Sequence, residues 1–277
     1  MATADLLVLI FDVILHEIKG IYLEHSLLNY TLICTLNICL AFAAIECSVW
    51  LNVALTFDRF IIICYQKLRF KYCTSKTAAV IITTVCGLSL LLNIPLYFAV
   101  DFGEIIDNIR WFCVVKSASY ILPISMAYHW FRIVLTPFAP FVLIALFNAL
   151  TIRHILQASR GRRGLRGRKK GESHNDPEME NRTKSITLLL AISGSFILLL
   201  IVNSLCQICV EITDTQFFRT GYGDHLTIME HSGYILQGLN SCTNTLIYAV
   251  AQTKFRDALK NAIKYPFDQI IKRINSN

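Results

Sequence analysis

The stretch Cys34–Arg59 reads CTLNICLAFAAIECSVWLNVALTFDR. As an α-helix it is about 37 Å long, which exceeds the roughly 30 Å hydrocarbon core of a bilayer. From Thr31 to Phe57 the only charged residue is Glu46. Ser48, Asn52 and Arg59 fall at i, i+4 and i+11 on one helical stripe, whereas Glu46 points nearly the opposite way. Polar groups on opposing faces cannot all avoid lipid unless protein surrounds the helix on every side. The stretch therefore predicts a membrane-spanning helix at the centre of a bundle.

Working outward, Ala78–Val100, Ile133–Ile152, Ile186–Val210 and Ser232–Thr253 carry no charge at all. Met1–Leu15 is apolar but short and holds Asp5 and Asp12; with no basic start it does not read as a signal peptide. The chain is 55% hydrophobic and 16% charged, with mean hydropathy +0.52, whereas soluble domains carry about a quarter charged residues. Six spans are predicted, at about 1–17, 31–63, 77–100, 130–156, 183–211 and 230–252. Each must be helical, because lipid offers no partner to an open backbone.

The net charge of +7 is concentrated in Lys67–Lys76, Arg153–Lys184 and Lys254–Arg273, while the alternate loops are acidic. Positive residues remain cytoplasmic during insertion, so these three segments and both ends of the chain as given are expected inside. A nucleic-acid partner is excluded by the same placement, since the basic cluster Arg160–Lys170 lies between two spans. Residues 157–182 lack apolar periodicity and read as a cytoplasmic loop. Phe255, Leu259, Ile263 and Phe267 recur every four residues, so 254–267 reads as a short helix on the inner membrane surface.

Most of the ten cysteines sit within apolar runs, which argues against a disulfide scaffold. Cys34 and Cys113 differ: both lie on the outer, oxidising side, where a disulfide between them can form. The sequon Asn29-Tyr30-Thr31 is on the same side, which makes Asn29 a glycosylation candidate. No Gly-rich phosphate loop, metal cluster or catalytic triad is present, and no enzymatic activity is expected.

Several motifs together carry a resemblance. Asp58-Arg59-Phe60 resembles the Asp-Arg-Tyr motif of rhodopsin-like G-protein-coupled receptors. Asn244-Thr245-Leu246-Ile247-Tyr248 resembles their Asn-Pro-x-x-Tyr motif, with Phe255 at the spacing that opens the surface helix. Ala2-Thr3-Ala4-Asp5 resembles the Asp-bearing motif of their second helix, and Cys34 and Cys113 match their outer disulfide. Within the family, Cys47-Ser48-Val49-Trp50, Thr56-Phe57-Asp58-Arg59-Phe60, Ser159-Arg160-Gly161-Arg162-Arg163, Asp176-Pro177-Glu178-Met179-Glu180 and Cys242-Thr243-Asn244-Thr245 look like the branch of probable G-protein coupled receptors 139 and 142.

This resemblance implies an all-α, seven-helix receptor fold with six of the seven helices present, the first being missing, plus the surface helix. It implies a multi-pass protein of the plasma membrane. Its partners would be the lipid bilayer, a heterotrimeric G protein, and an extracellular small-molecule or peptide ligand of the aromatic amino acid or peptide class. No cofactor is implied, apart from an allosteric sodium ion held by Asp5, Ser48, Asn240, Ser241 and Asn244, an oxygen set suited to a hard cation. The expected ligand pocket comprises Phe42, Glu46, His129, Arg132, Asn203, Gln207 and Tyr234. Within it Arg132 either pairs with Glu46 or forks onto a ligand carboxylate. Coupling falls to Asp58, Arg59, Phe60, Asn52, Asn244 and Tyr248. The sequence departs from the family at Leu200 and Val202, where tryptophan and proline are usual. It also departs at Arg182, where an acid is frequent, and at Asn52, where an apolar gate is usual. Two other readings remain: a truncated receptor that does not signal, and a transporter or channel, for which no inverted repeat is seen.

Overall fold

The computed structural model describes residues 2–18, 26–116, 122–166, 191, 193–201, 204–205, 208–209, 228, 232–243, 261 and 265. The chain opens with α1 (Ala2–Val8), which continues as a π-helix over Leu9–Ile18. A 3-10 turn at Leu27–Asn29, capped by the Ser26 side chain, leads into α2 (Thr31–Cys64). The short α3 (Gln66–Tyr72) precedes α4 (Ser75–Ala99), whose first turn is capped by Thr74 accepting from the Thr77 N–H. Then come four short strands, followed by α5 (Pro123–Ile133), a π-helical turn (Val134–Phe138) and α6 (Ala139–Arg166).

Among the described residues, three helices are long and apolar enough to cross a membrane: Thr31–Cys64, Ser75–Ala99 and Pro123–Gln157. The predicted central helix is central. Over half of the apolar stretch of α2 is buried (56%), against 17% for α4 and 22% for Pro123–Gln157. It packs against α1, α4 and α6. Leu88, Leu91 and Phe98 on α4 point outward, as a lipid-facing helix requires. Inside, Val49 and Val53 of α2 meet Ile144 of α6 and Phe196 and Leu200 of the helical segment 193–201, with Phe141 and Phe196 edge-on at 5.9 Å.

Three features differ from the sequence reading. The third long helix begins at Pro123 rather than near 130, because proline's missing N–H and fixed φ suit a first helical turn. Helix α6 continues to Arg166, past the start expected for the loop at 157–182, since a formed helix adds one bond for each residue fixed. The outer segment is not plain loop. Strands β1 (Val100–Asp101) and β4 (Val114–Val115) pair antiparallel, enclosing a hairpin of β2 (Glu104–Ile106) and β3 (Ile109–Trp111). Asp107 (φ 51°) and Asn108 (φ 62°) form its turn, and such side chains tolerate the left-handed region. Phe112 also has positive φ (59°), held by its N–H donating to the Asn29 carbonyl (2.7 Å) and its carbonyl accepting from Thr31 Oγ1 (2.8 Å). Cys113 follows, bonded to Cys34 with Cα atoms 6.0 Å apart at a sequence separation of 79. The predicted surface helix 254–267, apart from residues 261 and 265, and the rest of the predicted loop, 167–182, fall outside the described residues.

Candidate functional site

Glu46 sits near the middle of α2 and is 2% exposed. Its Oε1 faces Arg132 Nε at 3.4 Å and Thr136 Oγ1 at 3.4 Å. Its Oε2 accepts from Asn93 Nδ2 at 2.8 Å. The expected pairing of Glu46 with Arg132 is therefore present. The Arg132 guanidinium lies over the Phe42 ring, 4.4 Å from the centroid, and 5.8 Å from that of Tyr128. Tyr128 in turn donates to the Leu92 carbonyl at 2.7 Å and packs edge-on with His129 at 6.0 Å. Of the expected pocket, Phe42, Glu46, Arg132 and His129 are thus gathered on one side of α2. Tyr234 is half-buried on the helical segment 232–243; Asn203 and Gln207 lie outside the described residues.

Local winding helps to place these groups. Thr136 belongs to the π-turn Val134–Phe138, which contains Pro137; proline removes a helical donor, and π-turns frequently mark functional sites. Sequence reasoning missed Asn93, Thr136 and Tyr128. The available signal was Asn93, a buried amide inside an otherwise apolar run, since polar side chains at membrane depth are functional by default.

The second polar region begins two residues along α2 from Glu46, on nearly the opposite face of the helix. Ser48 Oγ donates to Asp5 Oδ1 at 2.6 Å, and both residues are buried. Ser48, Gln237, Asn240 and Ser241, with Val8, Ile45, Val49 and Leu200, line a cavity with room for about one water-sized occupant. Asn240 Oδ1 is buried without a hydrogen-bond partner. The cavity itself offers two hydroxyls and an orphan amide oxygen, while the Asp5 carboxylate does not line it and reaches it only through its bond to Ser48. Asn244, the remaining expected member, lies outside the described residues. Asp12, which the sequence reading noted only as a charge, is also buried and accepts from Gln237 Nε2 at 3.2 Å. Asn37 donates to the Phe11 carbonyl at 3.2 Å, tying the π-segment to α2.

Below this cavity Asn52 is 2% exposed; its Nδ2 donates to the Ser48 carbonyl at 3.2 Å while its Oδ1 has no partner. At the inner end of α2, Asp58, Arg59 and Phe60 are partly exposed. Phe60 stacks on Phe147 of α6 at 5.6 Å. Burial, then the hydrogen bond to Asp58 and its negative charge, push the Cys73 thiol up to about 11, against the opposing charges of Arg69 and Arg59. Tyr248 lies outside the described residues. At the outer end, a glycan on Asn29 does not fit this fold: the side chain is 4% exposed beneath the Phe112 contact.

The model of the rhodopsin family of seven-transmembrane receptors matches residues 1–248 of this chain. The chain belongs to that family. It is a membrane-embedded helical receptor, and the family consists of signalling receptors rather than enzymes. The transporter reading is thereby set aside. A distant relative is the FMRFamide receptor of Drosophila melanogaster, 23% identical over 217 residues, which cover 76% of this chain and 36% of the relative. The chain thus spans about a third of the length of the curated relative it matches. In this rhodopsin-family chain, Glu46 on α2 faces Arg132 of α5, and the C-terminal end of α2 carries the Asp58-Arg59-Phe60 motif.

Proposed function

We propose that the chain is a receptor of the plasma membrane that couples an extracellular ligand to a heterotrimeric G protein, and that Arg132 anchors a carboxylate of that ligand. The observation that carries this reading is the setting of Arg132. Its guanidinium is stacked on Phe42, borders Tyr128, and meets Glu46 only through a long 3.4 Å contact at Nε. A guanidinium on an aromatic platform suits a planar carboxylate carried beside an aromatic ring. This agrees with the aromatic amino acid class suggested by the resemblance to receptors 139 and 142. Binding that favours an outward-moved inner end of the bundle would expose Arg59 to the G protein. A sodium ion at Asp5, Ser48, Asn240 and Ser241 would favour the inactive state, by adding charge where the packed bundle supplies oxygens.

The FMRFamide relative supports a peptide ligand as a second reading. That relative is named for an amidated peptide, which has no terminal carboxylate and would use the acidic groups instead. The test is guanine-nucleotide exchange on a co-expressed heterotrimer, in membranes carrying the full chain, with L-phenylalanine and Phe-Met-Arg-Phe-amide as separate probes. A response to L-phenylalanine that is lost in Arg132→Gln at equal surface expression is the expected result. A response to the amidated peptide alone favours the second reading, and no exchange with either probe refutes both.

A further inference from the structure

A carboxylate sealed from water cannot be deserted by its cation without heavy cost, because the charge left behind is uncompensated. If Arg132 is to turn from Glu46 to a ligand, something else must hold Glu46. The shortest bond to Glu46 comes from Asn93, at 2.8 Å, against 3.4 Å for Arg132 and Thr136. Asn93 is 1% exposed, on α4. The same Nδ2 donates to the Ser89 carbonyl at 2.8 Å, one turn back on its own helix. Both amide hydrogens are therefore used, and a flipped amide would set its oxygen against two acceptors. The orientation is chemically compelled and does not depend on Arg132. Arg132, for its part, has its ring stack on Phe42 whether or not Glu46 is engaged.

We infer that Asn93, assisted by Thr136, is the positioning residue that keeps Glu46 satisfied while Arg132 exchanges the receptor's own carboxylate for the ligand's. This rests on the reading of Arg132 as a ligand anchor. Without Asn93, Glu46 would bind Arg132 more tightly and a ligand would have to compete with that pair. The site's preference for a carboxylate ligand is thus set from α4, a helix that does not supply the anchor.

The full chain in membranes tests this with two probes that differ only at the acid, L-phenylalanine and L-phenylalaninamide. Asn93→Leu should weaken L-phenylalanine binding by about tenfold or more, a change of roughly 1.4 kcal/mol, and leave the amide unaffected. Thr136→Val should act in the same direction and less, as its longer contact implies. An equal change for both probes, or none, overturns the inference. A ligand-free arm separates it from the anchor reading: melting of Asn93→Leu, Arg132→Gln and the double variant. A double loss larger than the sum shows that the two residues share the support of Glu46, whereas additive losses overturn the positioning role. If the cycle is more than additive but Arg132→Gln leaves L-phenylalanine binding intact, Asn93 holds Glu46 as inferred and the anchor reading alone falls.

Discussion

Glu46 and Asn52 lie six residues apart on α2 and are equally buried, at 2% exposure. Their surroundings differ sharply. Both oxygens of Glu46 accept hydrogen bonds, Oε2 from Asn93 and Oε1 from Thr136, and Oε1 also lies 3.4 Å from Arg132 Nε as an ion pair. Asn52 has its donor placed on the Ser48 carbonyl and its oxygen left without a partner. An unmet buried charge costs far more than an unmet neutral amide oxygen, which costs about 1–3 kcal/mol. The outer half of the helix is therefore locked by its charge. At Asn52 the inner half holds a modest, unrelieved penalty, of the kind that the amide oxygens of Asn37 and Asn93 also carry, and another conformation can remove it. A receptor needs both, a firm frame around the ligand and a marginal inner half that it can shift.

The largest effect is expected at the locked end. Arg132→Ala should destabilise the folded chain, by less than the about 3–5 kcal/mol that breaking a buried pair costs, because Asn93 and Thr136 still donate to Glu46. Glu46→Gln combined with Arg132→Gln should recover most of that loss. Thermal unfolding in detergent reads both, and a double variant as unstable as Arg132→Ala would show that shape rather than charge holds this region.

The poised end should respond less and in the opposite direction. Asn52→Leu removes the orphan oxygen and should stabilise the resting state by about 1–3 kcal/mol. A gain of roughly 1.4 kcal/mol lowers ligand-free nucleotide exchange about tenfold. Unchanged or higher exchange at equal expression would place Asn52 in a satisfied resting network and dissolve the contrast with Glu46.

The smallest effect lies at Cys73, between α3 and α4. With its thiol pushed up to about 11, Cys73 holds very little thiolate at pH 8, and the thiolate is the reactive form. Maleimide should label it slowly, with a rate that climbs until the pH passes about 11. Asp58→Asn removes the negative charge, so the thiol should fall back and labelling at pH 8 should quicken. An unchanged rate would mean that Asp58 does not reach Cys73.

The central place of α2 was legible because a single helix with polar groups on opposite faces admits only one environment. The Cys34–Cys113 bond was expected from the shared side of the two cysteines and from the family resemblance, and the Glu46–Arg132 pair, one of two alternatives, from the resemblance alone. Asn93 and Thr136 were not legible as supports of Glu46, since they come from 47 and 90 residues away on other helices. Hydropathy records how apolar a run is but not which of its faces meets which neighbour.

By itself, then, the order of apolar runs and motif residues determined a membrane-embedded receptor, because the bilayer imposes helix and length on any chain that crosses it. Only the tertiary structure decided which buried polar atoms are satisfied. Helix rotation, the π-turns at Leu9–Ile18 and Val134–Phe138 and the Phe112 turn are set by packing between elements. A shift of about one residue along a helix turns a side chain by roughly 100°, from partner to lipid.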